Sequence, residues 1–243
     1  MIAALHTGNQ EQFFRLAAAD PFLGCQMEVD ARLFGHCDHL MRFFVCEQGA
    51  MEIKGDTAYL AGAADGAELA GMLAFAGVRR IVTAGPLPMG WRESGQMAAM
   101  EYRPGIPPAL PAGVTLDTAP PAADLLQVVA CEGITGPGAD NFYSEVCTKR
   151  NHGMGQFWLA RLDGQPAATA GCYALTHTRA YLAGVVTLPQ YRRQGIGGGL
   201  CAALAAHLAA EGRTVGLLCR PEREPFYQKM GFVRQGLLHC GRP

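Results

Sequence analysis

The sequence is poor in charge. Lys, Arg, Asp and Glu make up 17% of its 243 residues, the formal net charge is −1, and like charges nowhere run together. A nucleic-acid surface needs clustered Lys and Arg to displace phosphate counterions, so no nucleic-acid partner is expected. Long apolar runs are missing too. No stretch approaches the roughly 18 apolar residues that a membrane-spanning helix needs, which argues against a membrane partner. The first ten residues lack the basic stretch, apolar core and small-residue cleavage site of a secretory leader. Also absent is any Cys-x-x-Cys, although there are nine cysteines, scattered from Cys25 to Cys240. Neither a zinc ribbon nor a redox dithiol is suggested. Cys46, Cys172 and Cys201 lie in apolar surroundings, where a thiol acts as a small hydrophobe. A reduced, cytoplasmic protein is the expectation.

What is present is enough apolar sequence, 49%, to build a packed core. The sharpest change of composition is Arg103-Pro-Gly-Ile-Pro-Pro-Ala-Leu-Pro-Ala-Gly113, with four prolines in eight residues. Such a run continues neither a helix nor a central strand and reads as an extended linker. It divides the chain into residues 1–105, a proline-rich linker over 106–112, and residues 113–243.

In the first part, Asn9 is placed to cap a helix running to Asp20, and Pro21 stops it. Strands are expected at 42–46, 50–54 and 57–61, then a helix carrying Leu69, Met72, Leu73 and Ala76 on one face. Further strands follow at 80–84 and 96–103. In the second part a strand at 114–116 precedes helices at 122–131 and 140–150. The stretches 156–162 and 166–175, joined by Asp163-Gly164, read as a hairpin. Strand 180–188, helix 195–211, strand 214–219, helix 222–230 and a last strand complete the order. Tyr59-Leu-Ala-Gly62 and Tyr181-Leu-Ala-Gly184 echo each other on comparable strands, each followed by a helix and a strand. This suggests a degenerate internal copy whose shorter loop has no glycine-rich turn.

The most informative segment is Val185-Val-Thr-Leu-Pro-Gln-Tyr-Arg-Arg-Gln-Gly-Ile-Gly-Gly-Gly-Leu200: a strand, a proline turn, two arginines and glycines opening a helix. The unpaired amides and positive end of a helix N-terminus favour phosphate. Gly195 and Gly197 would let a pyrophosphate approach the backbone, and Arg192 and Arg193 add charge. The plainer alternative is a glycine-rich turn with exposed arginines. A nucleotide P-loop would require Lys-Ser/Thr where Gly199-Leu200-Cys201 stands. A dinucleotide fingerprint would require Gly or Ala at Leu200.

Arg192-Arg-Gln-Gly-Ile-Gly197, with Pro189 and Tyr191 before it, resembles the Arg/Gln-x-x-Gly-x-Gly/Ala signature of the GCN5-related N-acetyltransferases (GNAT). Phe226-Tyr-Gln-Lys-Met-Gly-Phe232 resembles that family's Phe-Tyr-x-Lys-x-Gly-Phe segment, at the expected separation. The likeness covers about residues 113–243, and the first part is similar to the degenerate partner domain of two-domain members. It implies a mixed α/β fold: a catalytic acyl-CoA N-acyltransferase domain in the C-terminal half and a degenerate GNAT-like domain before it. It also implies acetyl-CoA as co-substrate, no metal, and direct transfer of the acetyl group to a primary amine of a small acceptor. By the same resemblance, backbone groups around Val185, Val186 and Thr187 pair with the pantetheine arm, and a strand amide near Val186 stabilises the oxyanion. The pyrophosphate is wrapped by amides of Arg193, Gln194, Gly195, Ile196, Gly197 and Gly198, with Arg192 beside them. Tyr227 is the general acid that reprotonates the departing thiolate.

No general base is nominated. Glu145, His152 and His177 are weighed for it, each against an ordinary structural role. Cys219 is weighed as a covalent nucleophile against a packed thiol. The cluster His36, Cys37, Asp38 and His39 has no standard metal-ligand spacing and reads as a loop. Two other functions stand beside acetylation: a sensor or structural protein that binds acetyl-CoA without turnover, and a transferase for a larger acyl group.

Overall fold

A computed structural model describes residues 1–37 and 40–243. The first part of the chain runs β1 (Ala3–Ala4), α1 (Gln10–Ala17), α2 (Leu23–Phe34), β2 (Met41–Val45), β3 (Gln48–Lys54), β4 (Thr57–Ala63), α3 (Gly66–Phe75), β5 (Arg80–Thr83) and β6 (Arg92–Tyr102). Residues 103–113 form no helix or strand. Then come β7 (Val114–Asp117), α4 (Ala122–Val129), α5 (Pro137–Asn151), β8 (Gln156–Leu162), β9 (Gln165–Leu175), β10 (Arg179–Thr187), α6 (Ile196–Ala210), β11 (Thr214–Cys219), α7 (Glu224–Gln228) and β12 (Phe232–Arg242). By contacts the chain forms two compact units. One holds residues 1–99, 219–221 and 235–243; the other holds 100–218 and 222–234.

In the first unit β1 to β4 pair antiparallel in sequence order, β5 joins β4 in parallel, and the end of β12 joins β5 antiparallel. Leu60, Leu69, Leu73, Ile53 and Ile81 pack into its core. Helix α2 has no counterpart in the sequence reading, which took Pro21 as the stop of the first helix and placed nothing before the strand at 42–46. Asp20 Oδ1 accepts from the amides of both Phe22 and Leu23 at 2.9 Å, so the Asp-Pro pair starts a helix. Asn9 stands at the N-cap of α1, but its side chain makes no capping bond. It accepts from the His6 amide and donates to the Ala4 carbonyl, which fixes the entry to the helix.

In the second unit β7, β8, β9 and β10 pair antiparallel in sequence order and β11 joins β10 in parallel. Strand side chains alternate between faces, and here both faces are covered. Phe157 and Leu159 pack against α4 and α5 with Leu125, Val128 and Val146. Trp158, between them, meets His207 of α6 at 5.1 Å. Leu200, Leu204 and Leu208, spaced by four, are buried along α6 as the sequence periodicity implies. The proline-rich segment packs against that helix: a Cβ at Gly199 would stand 3.1 Å from Leu110 and 3.3 Å from the Ala109 carbonyl. Among the described residues no helix is long and apolar enough to cross a membrane.

Candidate functional site

The site begins where β10 leaves its neighbours. Parallel pairing with β11 runs from Arg179↔Thr214 to Leu182↔Leu217 and stops. On the other side, pairing with β9 is interrupted between Ala183 and Val186 and resumes at Val186↔Thr169. Gly184 and Val185 form this bulge, with Gly184 at φ +60°, a conformation that favours glycine. Residues 183–187 are half-buried, and the strand edge facing β11 is open there. Val185, Val186 and Thr187, expected to meet the pantetheine arm, therefore all lie on the opened stretch.

Tyr173, which the sequence reading passed over, fills the space under the bulge. A Cβ at Gly184 would stand 2.8 Å from its hydroxyl oxygen, and one at Gly171 would stand 2.6 Å from its ring. Two glycines on neighbouring strands thus make room for one phenol. Phe157 braces that ring edge-on at 5.0 Å.

After β10 a single turn at Pro189–Tyr191 leads into the glycine segment. Arg193 takes φ +65° and Gly195 φ +81°. Two left-handed residues this close curl successive amides towards one concave side, an arrangement suited to an anion. Helix α6 then begins with no side-chain cap and no acidic residue in its first turn. Its first internal bond here is from the Gly199 amide to the Gly195 carbonyl, 2.9 Å. A 15-residue helix with an uncapped, positive N-terminus beside an open strand edge is a place for a phosphate group.

Two residues of this turn also have partners within the protein. Gly197 was read as a glycine that admits the pyrophosphate. A Cβ there would meet Thr187 Oγ1 at 2.3 Å, so the glycine also leaves room for the threonine side chain where α6 lies against β10. Arg192 was read as adding positive charge for the anion. Its Nε donates to the Thr187 carbonyl at 3.0 Å and its terminal nitrogen pairs with Glu132 at 2.9 Å. The guanidinium therefore ties the end of β10 to the loop after α4. Glu132 lies 60 residues away and carries no local signal. Arg193 and Gln194 are exposed, Gln194 donating to the Gln190 carbonyl, and Ile196 is a core side chain that offers only its amide.

The second motif comes to the same turn. A Cβ at Gly198 would stand 3.7 Å from both Met230 Sδ and Phe226 Cε2, which sets α7 beside the start of α6. Tyr227 is half-buried on α7, edge-on to Phe226 at 5.0 Å and to Phe232 at 5.9 Å. Gly231, at φ +91°, closes α7, and its carbonyl accepts from the Arg103 amide.

The residues weighed as base are occupied or elsewhere. Glu145 is paired with the buried Lys149 at 2.8 Å. His152 is exposed, its Nδ1 2.9 Å from the Thr148 carbonyl, so that nitrogen carries the proton. His177 was weighed as a residue able to reach the mouth of the cleft. It sits in the turn before β10, at the opposite end of the strand from the bulge, about 20 Å away at 3.3 Å per residue. Cys219 is buried and falls with the first unit. Of the cluster at 36–39, Asp38 and His39 lie outside the described residues. Among the described residues no group of three or more His, Cys, Asp or Glu is placed to hold a metal.

Comparison with known proteins bears on the family and the fold. Residues 153–234, about a third of the chain, match the family profile described as an acetyltransferase (GNAT) domain. No curated protein matches the sequence. Among solved structures, a GCN5-related N-acetyltransferase from Kribbella flavida is 21% identical, with 95% of each chain covered and a TM-score of 0.65. A tandem GNAT protein of the clavulanic acid biosynthesis pathway is 16% identical over 100% of this chain and 98% of its own, TM-score 0.63. A GNAT-family acetyltransferase from Colwellia psychrerythraea is 13% identical with the same coverage and a TM-score of 0.59. The fold is the GNAT fold, and residues 153–234 match the profile of its acetyltransferase domain.

Proposed function

We propose that the second unit transfers an acetyl group from acetyl-CoA directly to the primary amine of a small acceptor. The observation that carries this reading is the uncapped N-terminus of α6, curled by Arg193 and Gly195, beside the unpaired edge of β10. The residues present suit acetyl-CoA: amides from Arg193 to Gly198 for the pyrophosphate, and the opened stretch Val185–Thr187 for the pantetheine. When bound, acetyl-CoA supplies the activated acyl carbon. The amine nitrogen bonds to that carbon as the carbon–sulfur bond breaks.

The chain's own residues then have two tasks. Strand β10, pinned by Arg192 and by the Gly197–Thr187 contact, holds the thioester still against the bulge, so that the acceptor meets a fixed target. Tyr227 donates its phenolic proton to the departing sulfur and regains one from water. The proton lost by the amine passes to solvent, because Glu145 is held by Lys149 and His177 lies at the wrong end of β10.

The test is release of free thiol from acetyl-CoA in the presence of a panel of primary amines: amino sugars, amino acids, polyamines and simple alkylamines. Amine-dependent release, lowered at least tenfold in Tyr227→Phe, is expected. Tight acetyl-CoA binding with no acceptor turned over would instead mark a binding protein. Faster release from a longer acyl-CoA would reassign the donor.

A further inference from the structure

The first unit repeats the geometry of the second up to one point and then departs from it. Parallel pairing of β4 with β5 runs from Thr57↔Arg80 to Leu60↔Thr83, and that of β10 with β11 from Arg179↔Thr214 to Leu182↔Leu217. Each register ends on the leucine of a Tyr-Leu-Ala-Gly tetrapeptide. Two residues later each strand has a left-handed glycine, Gly62 at φ +85° and Gly184 at φ +60°. A helix follows in both cases. The opening that frames the acyl-CoA site is thus begun twice in the chain.

The departures are three: β3 and β4 pair without a break from Gln48↔Ala63 to Lys54↔Thr57, so no bulge matches that of β10, and the loop before the helix and the mouth of the opening differ as well. Between β10 and α6 lie residues 188–195, which form the anion turn; between β4 and α3 lie only Ala64 and Asp65. The Asp65 carboxylate accepts from the amides of Ala67 at 3.1 Å and Glu68 at 2.9 Å. Those are the first-turn donors that stand uncapped in α6. Glu68 adds a second negative charge to the same turn and is paired with the Met1 amino group at 2.9 Å. The mouth of the opening is filled as well. A Cβ at Gly85 would stand only 2.8 Å from the Gly62 carbonyl, so the chain leaving β5 runs directly against β4.

We infer that the first unit is a second acyl-CoA cradle closed from within, Asp65 holding the helix amides that a pyrophosphate would take, so that the chain binds one coenzyme and not two. The Asp65 carboxylate, with Glu68 in the same turn, offsets at α3 the positive helix end that draws a polyphosphate to α6. The inference rests on the reading that the second unit binds acyl-CoA. It makes Asp65 a substitute for a ligand rather than part of a ligand site.

The test is native mass spectrometry of the full chain saturated with coenzyme A. It is run beside Gly198→Glu, which puts a carboxylate at the start of α6, and Asp65→Gly, which removes only the cap. One adduct on the parent, none on Gly198→Glu, and an Asp65→Gly protein that binds coenzyme A within twofold of the parent are expected. Two adducts on the parent, one retained by Gly198→Glu, or a tenfold weaker Asp65→Gly would overturn the inference while leaving coenzyme binding intact. A folded parent with no adduct would sink both the inference and the reading on which it rests.

Discussion

Gly197 and Thr187 are in such close contact that a single methyl group would part them: a Cβ at position 197 would lie 2.3 Å from the threonine Oγ1. Alanine in a helix is ordinarily worth about 1 kcal/mol over glycine. Overpacking that forces a side chain such as Thr187 off its rotamer typically costs about 1–3 kcal/mol, so the clash is expected to win. Gly197→Ala should lower stability by about 1 kcal/mol and weaken acetyl-CoA binding, because α6 and β10 flank the same turn. Adding Thr187→Ala should restore much of both, which a double-mutant cycle by urea unfolding and calorimetry would reveal. Simple additivity of the two changes would contradict the contact.

Arg192 offers a different kind of test, because its side chain reaches two partners. A lysine keeps the charge but not the fork that spans the Thr187 carbonyl and Glu132. If the residue acts by holding β10, Arg192→Lys should weaken acetyl-CoA binding about as much as Arg192→Ala. An Arg192→Lys protein with parental affinity would return the arginine to the role of plain positive charge.

Glu145 is expected to matter for folding rather than for proton transfer. Lys149 is 1% exposed and takes its ion pair from Glu145 one helical turn away. Removing one partner of a buried ion pair costs about 3 kcal/mol or more, so Glu145→Gln should lower the urea midpoint markedly. A stable Glu145→Gln protein with parental acetyl-CoA affinity and no turnover would instead make it the base.

The cysteines should divide sharply in reactivity. Burial pushes the Cys201 thiol up to about 12 and that of Cys46 up to about 11, whereas Cys131 is exposed. A raised thiol pKa leaves almost no thiolate at pH 8, and the thiolate is the reactive form. Iodoacetamide on the native protein should therefore label Cys131 early and Cys201 and Cys46 only in denaturant, as read by peptide mass spectrometry. Early labelling of Cys201 would contradict its packing inside α6.

Much of the second unit was legible because its signals are local. Strands β8 and β11 have the bounds that alternation and turn residues imply, and the glycine turn opens α6 as its sequence does. Helix α2 was not legible. Eight of its twelve residues are buried, so no polar face marks its period, and its start lies behind a proline that looks like a stop. Within the site, sequence brought forward the residues whose type matters, such as Tyr227 and Gly195. It missed those whose partner is distant: Glu132 for Arg192, and Tyr173 for Gly184. Gly197 was found, but for a ligand rather than for Thr187, because a glycine does not declare what presses against it.

The central claim is that acetyl-CoA is held at the start of α6, and calorimetric titration of the full chain with acetyl-CoA tests it most directly. The control is Gly198→Glu, whose Cβ has ordinary contacts at 3.7 Å and which adds a negative charge to the first turn of α6. Binding in the micromolar range by the parent, weakened at least a hundredfold in the variant, is the result this account predicts. A folded parent that binds no acetyl-CoA, or a variant that binds it equally well, would contradict it.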